Sequence, residues 1–178
     1  MKKILILLLA SLAGSLGLGA APQQASDPQV EKVLVIFKTH LDIGFTDLSS
    51  KVEQRYIDYY IPKAIEVARR LREEGGDERY VWTTGAWLVD AYLRQATPEA
   101  AAELEEAIRR GDIVWNGVPY TVESESMNRA LFEGILRLSQ RLDARFGKHT
   151  SAAKMTDVPG HTRSIVPLLS EAGIGFLH

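Results

Sequence analysis

Apolar positions recur along this chain at two alternating spacings. Residues 32–37 (KVLVIF) form a short β-branched apolar run, the pattern of a fully buried strand. Ile61, Ala64, Ile65, Ala68 and Leu71 then repeat at helical spacing up to Gly75 and Gly76. Residues 80–83 (YVWT) predict a second strand, and residues 87–93 the start of a helix. Thr97-Pro98 supplies an N-cap and first-turn pair for a helix that carries Ala101, Leu104 and Ile108 on one face and stops at Gly111. A third strand, 112–115 (DIVW), precedes a long stripe of Leu131, Ile135, Leu138 and Leu142 that ends at Gly147. Residues 151–156 predict a weaker fourth strand. Ile165, Leu168, Leu169 and Ala172 give one more helix, closed by Gly173, and residues 174–177 begin a fifth strand. Strands alternating with helices imply parallel βα units, because a parallel pair needs a long crossover.

The first residues follow another pattern. Lys2 and Lys3 precede the apolar run 4–12, and small residues follow through Gly19, Ala20 and Ala21. A charged start, an apolar stretch and a small-residue exit mark a secretory signal peptide over residues 1–25. The run is short for a membrane span, which disfavours the competing reading of an uncleaved anchor. Pro22 disfavours a cut after Ala21 and points to Ala20 or Ala25. The expectation is export to the periplasm or the extracellular space, with no stable membrane anchor after cleavage, and residues 26–178 as the functional domain.

Composition narrows the classes further. Apolar residues make up 46% and charged residues 25%, so a packed core is expected rather than disorder. The net charge of −2, or −4 once Lys2 and Lys3 are removed, leaves no basic footprint for nucleic acid and no polybasic membrane patch. The absence of cysteine excludes disulfides, thiolate metal sites and a lipoprotein anchor.

In parallel α/β folds, chemistry collects where strands end and loops lead into helices. The uncommon residues stand at those places. Thr39-His40-Leu41-Asp42 follows the first strand, and Thr84-Gly85 with Trp87 the second. Asn116-Gly117-Val118-Pro119-Tyr120 follows the third, Asp157-Val158-Pro159-Gly160-His161 the fourth, and His178 the fifth. His40 and Asp42 lie two apart, so on extended backbone both point to one side. Imidazole with carboxylate suits a borderline cation such as Zn²⁺, although a polar pair capping a loop fits the same residues. Asp157, set in a Pro/Gly loop, reads equally as an Asx-turn or N-cap aspartate or as a third ligand.

At these residues the chain resembles glycoside hydrolase family 38, the class II α-mannosidases. The segment Lys38-Thr39-His40-Leu41-Asp42-Ile43-Gly44-Phe45-Thr46-Asp47 is similar to that family's His-x-Asp-x-Gly-aromatic signature, and Lys154-Met155-Thr156-Asp157-Val158-Pro159-Gly160-His161-Thr162 to its later Asp-Pro-aromatic-Gly-His loop. Leu41 and Ile43 stand where the family usually has Asn and Pro, and Val158-Pro159 where it has Pro-aromatic, which looks like a divergent bacterial branch. The resemblance implies a (β/α)7-type barrel of the glycoside hydrolase/deacetylase kind, incomplete here with about five strands present, and one zinc ion. By position His40 and Asp42 would bind zinc, and Asp157 would bind zinc and act as the catalytic nucleophile of a retaining hydrolase. The family's last zinc ligand and its general acid are expected beyond residue 178, which marks the chain as a truncated portion.

The remaining candidates have plainer readings beside the functional ones. Trp87, Tyr120 and His178 could meet a carbohydrate substrate, whereas Trp82 and Trp115 fit core packing inside strands. Glu123 and Glu125 are possible acids or merely helix-start carboxylates. His161 could orient Asp157 from behind, and Asp47 could hydrogen-bond near the metal or cap the first helix. Two other functions compete: a polysaccharide deacetylase with a similar metal site, and a non-catalytic secreted carbohydrate-binding protein. Nothing in the sequence fixes the oligomeric state.

Overall fold

A computed structural model describes Val35 and residues 38–178. The chain divides at Val35, and the architecture below belongs to the unit Ile36–His178. The expected signal peptide and nearly all of the expected first strand lie outside the described residues.

The first helical stretch begins twelve residues before Ile61, earlier than the apolar spacing predicts. It consists of α1 (Ser49–Arg55), a π-helical segment (Tyr56–Tyr60) and α2 (Ile61–Glu73) without a break. Pro62 accounts for the widened turn. It has no N–H to give to the carbonyl four residues back, and its ring crowds that carbonyl. Val52 and Ile57 extend the buried face towards the N-terminus. The chain continues through β1 (Trp82–Gly85), α3 (Ala86–Gln95), α4 (Pro98–Arg110) and β2 (Ile113–Asn116). A 3-10 turn (Ser124–Ser126) precedes α5 (Arg129–Phe146), β3 (Ala152–Ala153), α6 (Ile165–Glu171) and β4 (Phe176–Leu177).

Capping sets the helix ends where the sequence places them. Thr97 Oγ1 accepts from Ala100 N at 3.3 Å at the start of α4. Gly111 closes that helix with φ 84°, a left-handed conformation that side chains resist. Asn128 Oδ1 accepts from Leu131 N at 2.9 Å to open α5. The strands differ from expectation in their limits. β1 lies two residues later than 80–83, β2 one residue later than 112–115, and the runs 151–156 and 174–177 shrink to two-residue pairs.

Strand order follows chain order. Lys38 forms a parallel bridge with Thr83. β1 pairs in parallel with β2, Trp82 opposite Ile113 and Gly85 opposite Asn116. Gly117 N donates to Ala152 O at 2.9 Å and links the end of β2 to β3. β3 pairs in parallel with β4, Ala152 opposite Phe176. A doubly wound sheet would reverse direction at its middle; this progression does not. The fold is thus a mixed α/β arrangement of parallel pairs, four strands among the described residues.

Two apolar clusters support it. Ile61, Trp82, Val89, Leu104, Ile108 and Trp115 pack between the first strands and helices. Val118, Phe132, Leu136, Met155, Leu168 and Ile174 pack around α5, α6 and β3. Each such large side chain contributes about 1.5–3 kcal/mol by leaving water. Between the helix ends sits one buried carboxylate, Asp112, only 1% exposed. It accepts from Arg72 Nε and from Arg110 Nε, each at 2.9 Å. Burial alone would raise its pKa, but the two guanidiniums outweigh that and hold it below the ordinary value.

Candidate active site

The strand ends bring together two of the three residues that the sequence singled out for metal chemistry. Just past the Lys38–Thr83 bridge, His40 Nε2 lies 3.5 Å from Asp157 Oδ2. A lysine helps to gather them: Lys154 Nζ donates to Thr39 O at 3.3 Å, tying the segment before His40 to the one before Asp157. Burial, then the charge of Lys38, pulls the pKa of Lys154 down. Asp157 has φ 65°, a conformation that Asp tolerates better than most residues. Its side chain is 78% exposed and that of His40 32%, so the pair faces outward with the carboxylate foremost.

The spacing fits a shared cation. Donors about 2.0–2.1 Å from a tetrahedral Zn²⁺ stand about 3.3–3.4 Å apart. His40 Nε2 and Asp157 Oδ2, at 3.5 Å, stand close to that spacing, and on the other side of the ring His40 Nδ1 is buried with no hydrogen-bond partner among the described residues. Asp42 does not join them: the described residues contain no group of three His, Asp or Glu side chains able to hold a metal ion. Asp42 lies near Tyr56, whose hydroxyl pKa is raised by burial and then by the neighbouring Tyr60 and Asp42. The residues present therefore supply two donors at ligand spacing, not a three-residue shell.

The other candidates separate clearly. Trp87 is half-buried at the start of α3 and its backbone N–H donates to Pro119 O at 3.3 Å. Tyr120, the next residue along from Pro119, is exposed. Gly85 makes this approach possible, because a Cβ there would lie 2.2 Å from Pro119 O. Trp82 and Trp115 are core residues, as their strand positions predict, with indole N–H bonds to Thr39 Oγ1 and to Asp143 Oδ1. His178 is exposed and extends the β3–β4 pairing, accepting from Met155 N at 3.0 Å. It lines a cavity of about 470 Å³ with Lys38, Thr83, Asn116 and Lys154; His40, Asp157, Trp87 and Tyr120 do not line it.

His161 turns to a different partner from the expected one: its Nδ1 lies 3.4 Å from Ser124 Oγ. Asp47 stands one residue before Leu48, the N-cap of α1, and does not cap the helix with its side chain; its carboxylate accepts from Leu48 N at 2.8 Å and pairs with Lys51 and Arg55. Glu123 precedes the 3-10 turn, Glu125 lies within it, and both are exposed. Phe45, the aromatic of the first motif, is 87% exposed three residues from Asp42, a large apolar ring held in water.

A solved structure of 4-alpha-glucanotransferase from Thermococcus litoralis is similar with a TM-score of 0.56 at 15% identity, a likeness of fold. The match covers 79% of this chain and 22% of that one, so the chain spans about a fifth of that enzyme's length. No curated protein matches the chain. Residues 31–177 match the family described as Glycosyl hydrolases family 38 N-terminal domain, and the chain belongs to that family.

Proposed function

We propose that this chain contributes the N-terminal part of the catalytic domain of an exported, zinc-dependent retaining glycoside hydrolase of the α-mannosidase type. The observation that carries this reading is the 3.5 Å approach of His40 Nε2 to Asp157 Oδ2, two residues from separate family motifs. The sequential parallel strands are what a (β/α)7-type barrel requires of its first units.

Asp157 is the nucleophile in this reading. Its carboxylate attacks the anomeric carbon as the bond to the leaving oxygen breaks, and an ester to the sugar forms. The leaving oxygen takes its proton from a second carboxyl group, which in retaining enzymes stands about 5–5.5 Å away; water then cleaves the ester with that group acting as base. The exposure of Asp157 suits attack on an incoming sugar, and His40 orients its carboxylate. Zinc, when bound, would keep the carboxylate ionised and supply charge that grips sugar hydroxyls. His40 and Asp157 are the residues that would hold it first, with Asp42 as the third ligand implied by the family. Trp87, Tyr120 and the exposed Phe45 offer apolar ring faces to the sugar.

The test is turnover of an aryl α-mannoside by the intact enzyme. Asp157→Ala should lower kcat more than about 10³-fold with an unchanged far-ultraviolet circular dichroism spectrum. Elemental analysis should find one zinc per chain, lost in His40→Ala. Full activity of Asp157→Ala would remove the nucleophile and with it this mechanism.

A further inference from the structure

The loop that bears Asp157 has few fastenings. Upstream it is held by Lys154 Nζ on Thr39 O and by Met155 N on His178 O. Among the described residues, the five at 156–160 make no backbone hydrogen bond, and the next link to another loop is to Ser124. This serine stands in the 3-10 turn that follows β2, so it belongs to a different strand-end loop. Its Oγ accepts from Thr162 N at 3.0 Å and lies 3.4 Å from His161 Nδ1. One hydroxyl thus engages both the His161 ring and the Thr162 backbone amide, just beyond the unsupported stretch.

Ser124 is 1% exposed. A hydroxyl so enclosed cannot reach a sugar, and an acceptor already engaged by an amide is not a poised nucleophile. Removing it would leave the Thr162 N–H without its acceptor and His161 without its ring partner. The loop would then keep its downstream link to α6, Ile165 N on Thr162 O at 3.3 Å, but lose its attachment to the neighbouring strand-end loop, with Asp157 in a left-handed backbone conformation.

We propose that Ser124 is a positioning residue for Asp157, clamping the downstream end of its loop so that the carboxylate stays at His40. This rests on the reading of Asp157 as nucleophile. Its energetic logic is that a misplacement of about 1 Å can cost about 100-fold in rate.

The experiment compares Ser124→Ala with the wild type and with Asp157→Ala in the intact enzyme, by hydrogen exchange of the Thr162 amide and by kinetics on an aryl α-mannoside. Ser124→Ala should speed exchange of that amide at least tenfold and lower kcat at least tenfold, with KM within about twofold and the remaining helices as protected as before. His161→Ala, which removes one of the two attachments at a half-buried site, should give a smaller change in the same two readouts, and it serves where Ser124→Ala does not fold. Unchanged exchange, or wild-type kcat in Ser124→Ala while Asp157→Ala is inactive, overturns the positioning role and leaves the nucleophile standing. Full activity of Asp157→Ala removes the nucleophile itself, whatever the exchange shows.

Discussion

Asp157 carries two separable demands, one on its backbone and one on its carboxylate. With φ 65° it occupies a region open chiefly to Gly, Asn and Asp. Asp157→Asn should therefore keep the loop and the melting temperature within about 2 °C while abolishing turnover. Asp157→Val adds a β-branched side chain to a left-handed backbone and should cost about 1–3 kcal/mol as well, measured by chemical denaturation. If both variants melt alike, the backbone demand is absent. The sequence made this residue visible through its Asp-Val-Pro-Gly-His context, and His40 through its place after a buried strand. It gave no hint of Ser124, because a serine in a loop looks the same whether it meets water or clasps another loop. Asp42 shares His40's strand side by spacing, yet spacing does not say how the chain turns at Ile43 and Gly44, and Asp42 comes to stand by Tyr56.

Elements follow the apolar code where packing and capping agree, as in α4 and α5. They depart from it where one atom is decisive. The expected second strand, 80–83, is centred on its apolar residues, but pairing runs through Thr84 and Gly85, whose small side chains let the next loop come close. Gly85→Ala tests this: its Cβ would lie 2.2 Å from a backbone oxygen of Pro119, an atom that cannot swing aside. The expected cost is about 2–3 kcal/mol by denaturant titration, with weaker substrate binding because Trp87 and Tyr120 flank the contact. A loss under about 0.5 kcal/mol would mean the loops are not in contact. The first helix shows the opposite lesson. Its apolar spacing is legible only from Ile61 onward, whereas the continuous helical stretch begins at Ser49 and absorbs Pro62.

At the scale of the whole molecule, Asp112 ties the ends of α2 and α4 to the start of β2. Its folded-state pKa is depressed, so its contribution is complete above the unfolded-state value of about 3.9 and fades as pH falls towards and below the folded value. Asp112→Asn should cost about 3 kcal/mol at pH 7, because two guanidiniums lose their counter-charge, and the penalty should shrink below about pH 4 as the wild type loses the same interaction. Thermal melts from pH 3 to 7 check the sign; a penalty independent of pH would remove the ion pair as its source. The class of fold, parallel βα units, was legible from alternation alone. The meeting of His40 with Asp157 was not, because it depends on contacts across more than a hundred positions of chain, set by Lys154 and the strand register.

The strand order has a consequence for how the protein is made. Every paired strand finds its neighbour about 24–45 positions earlier in the chain, so each unit completes a contact with one already synthesised. Such closure limits the loop entropy of each step and lets the units assemble in order from the N-terminus.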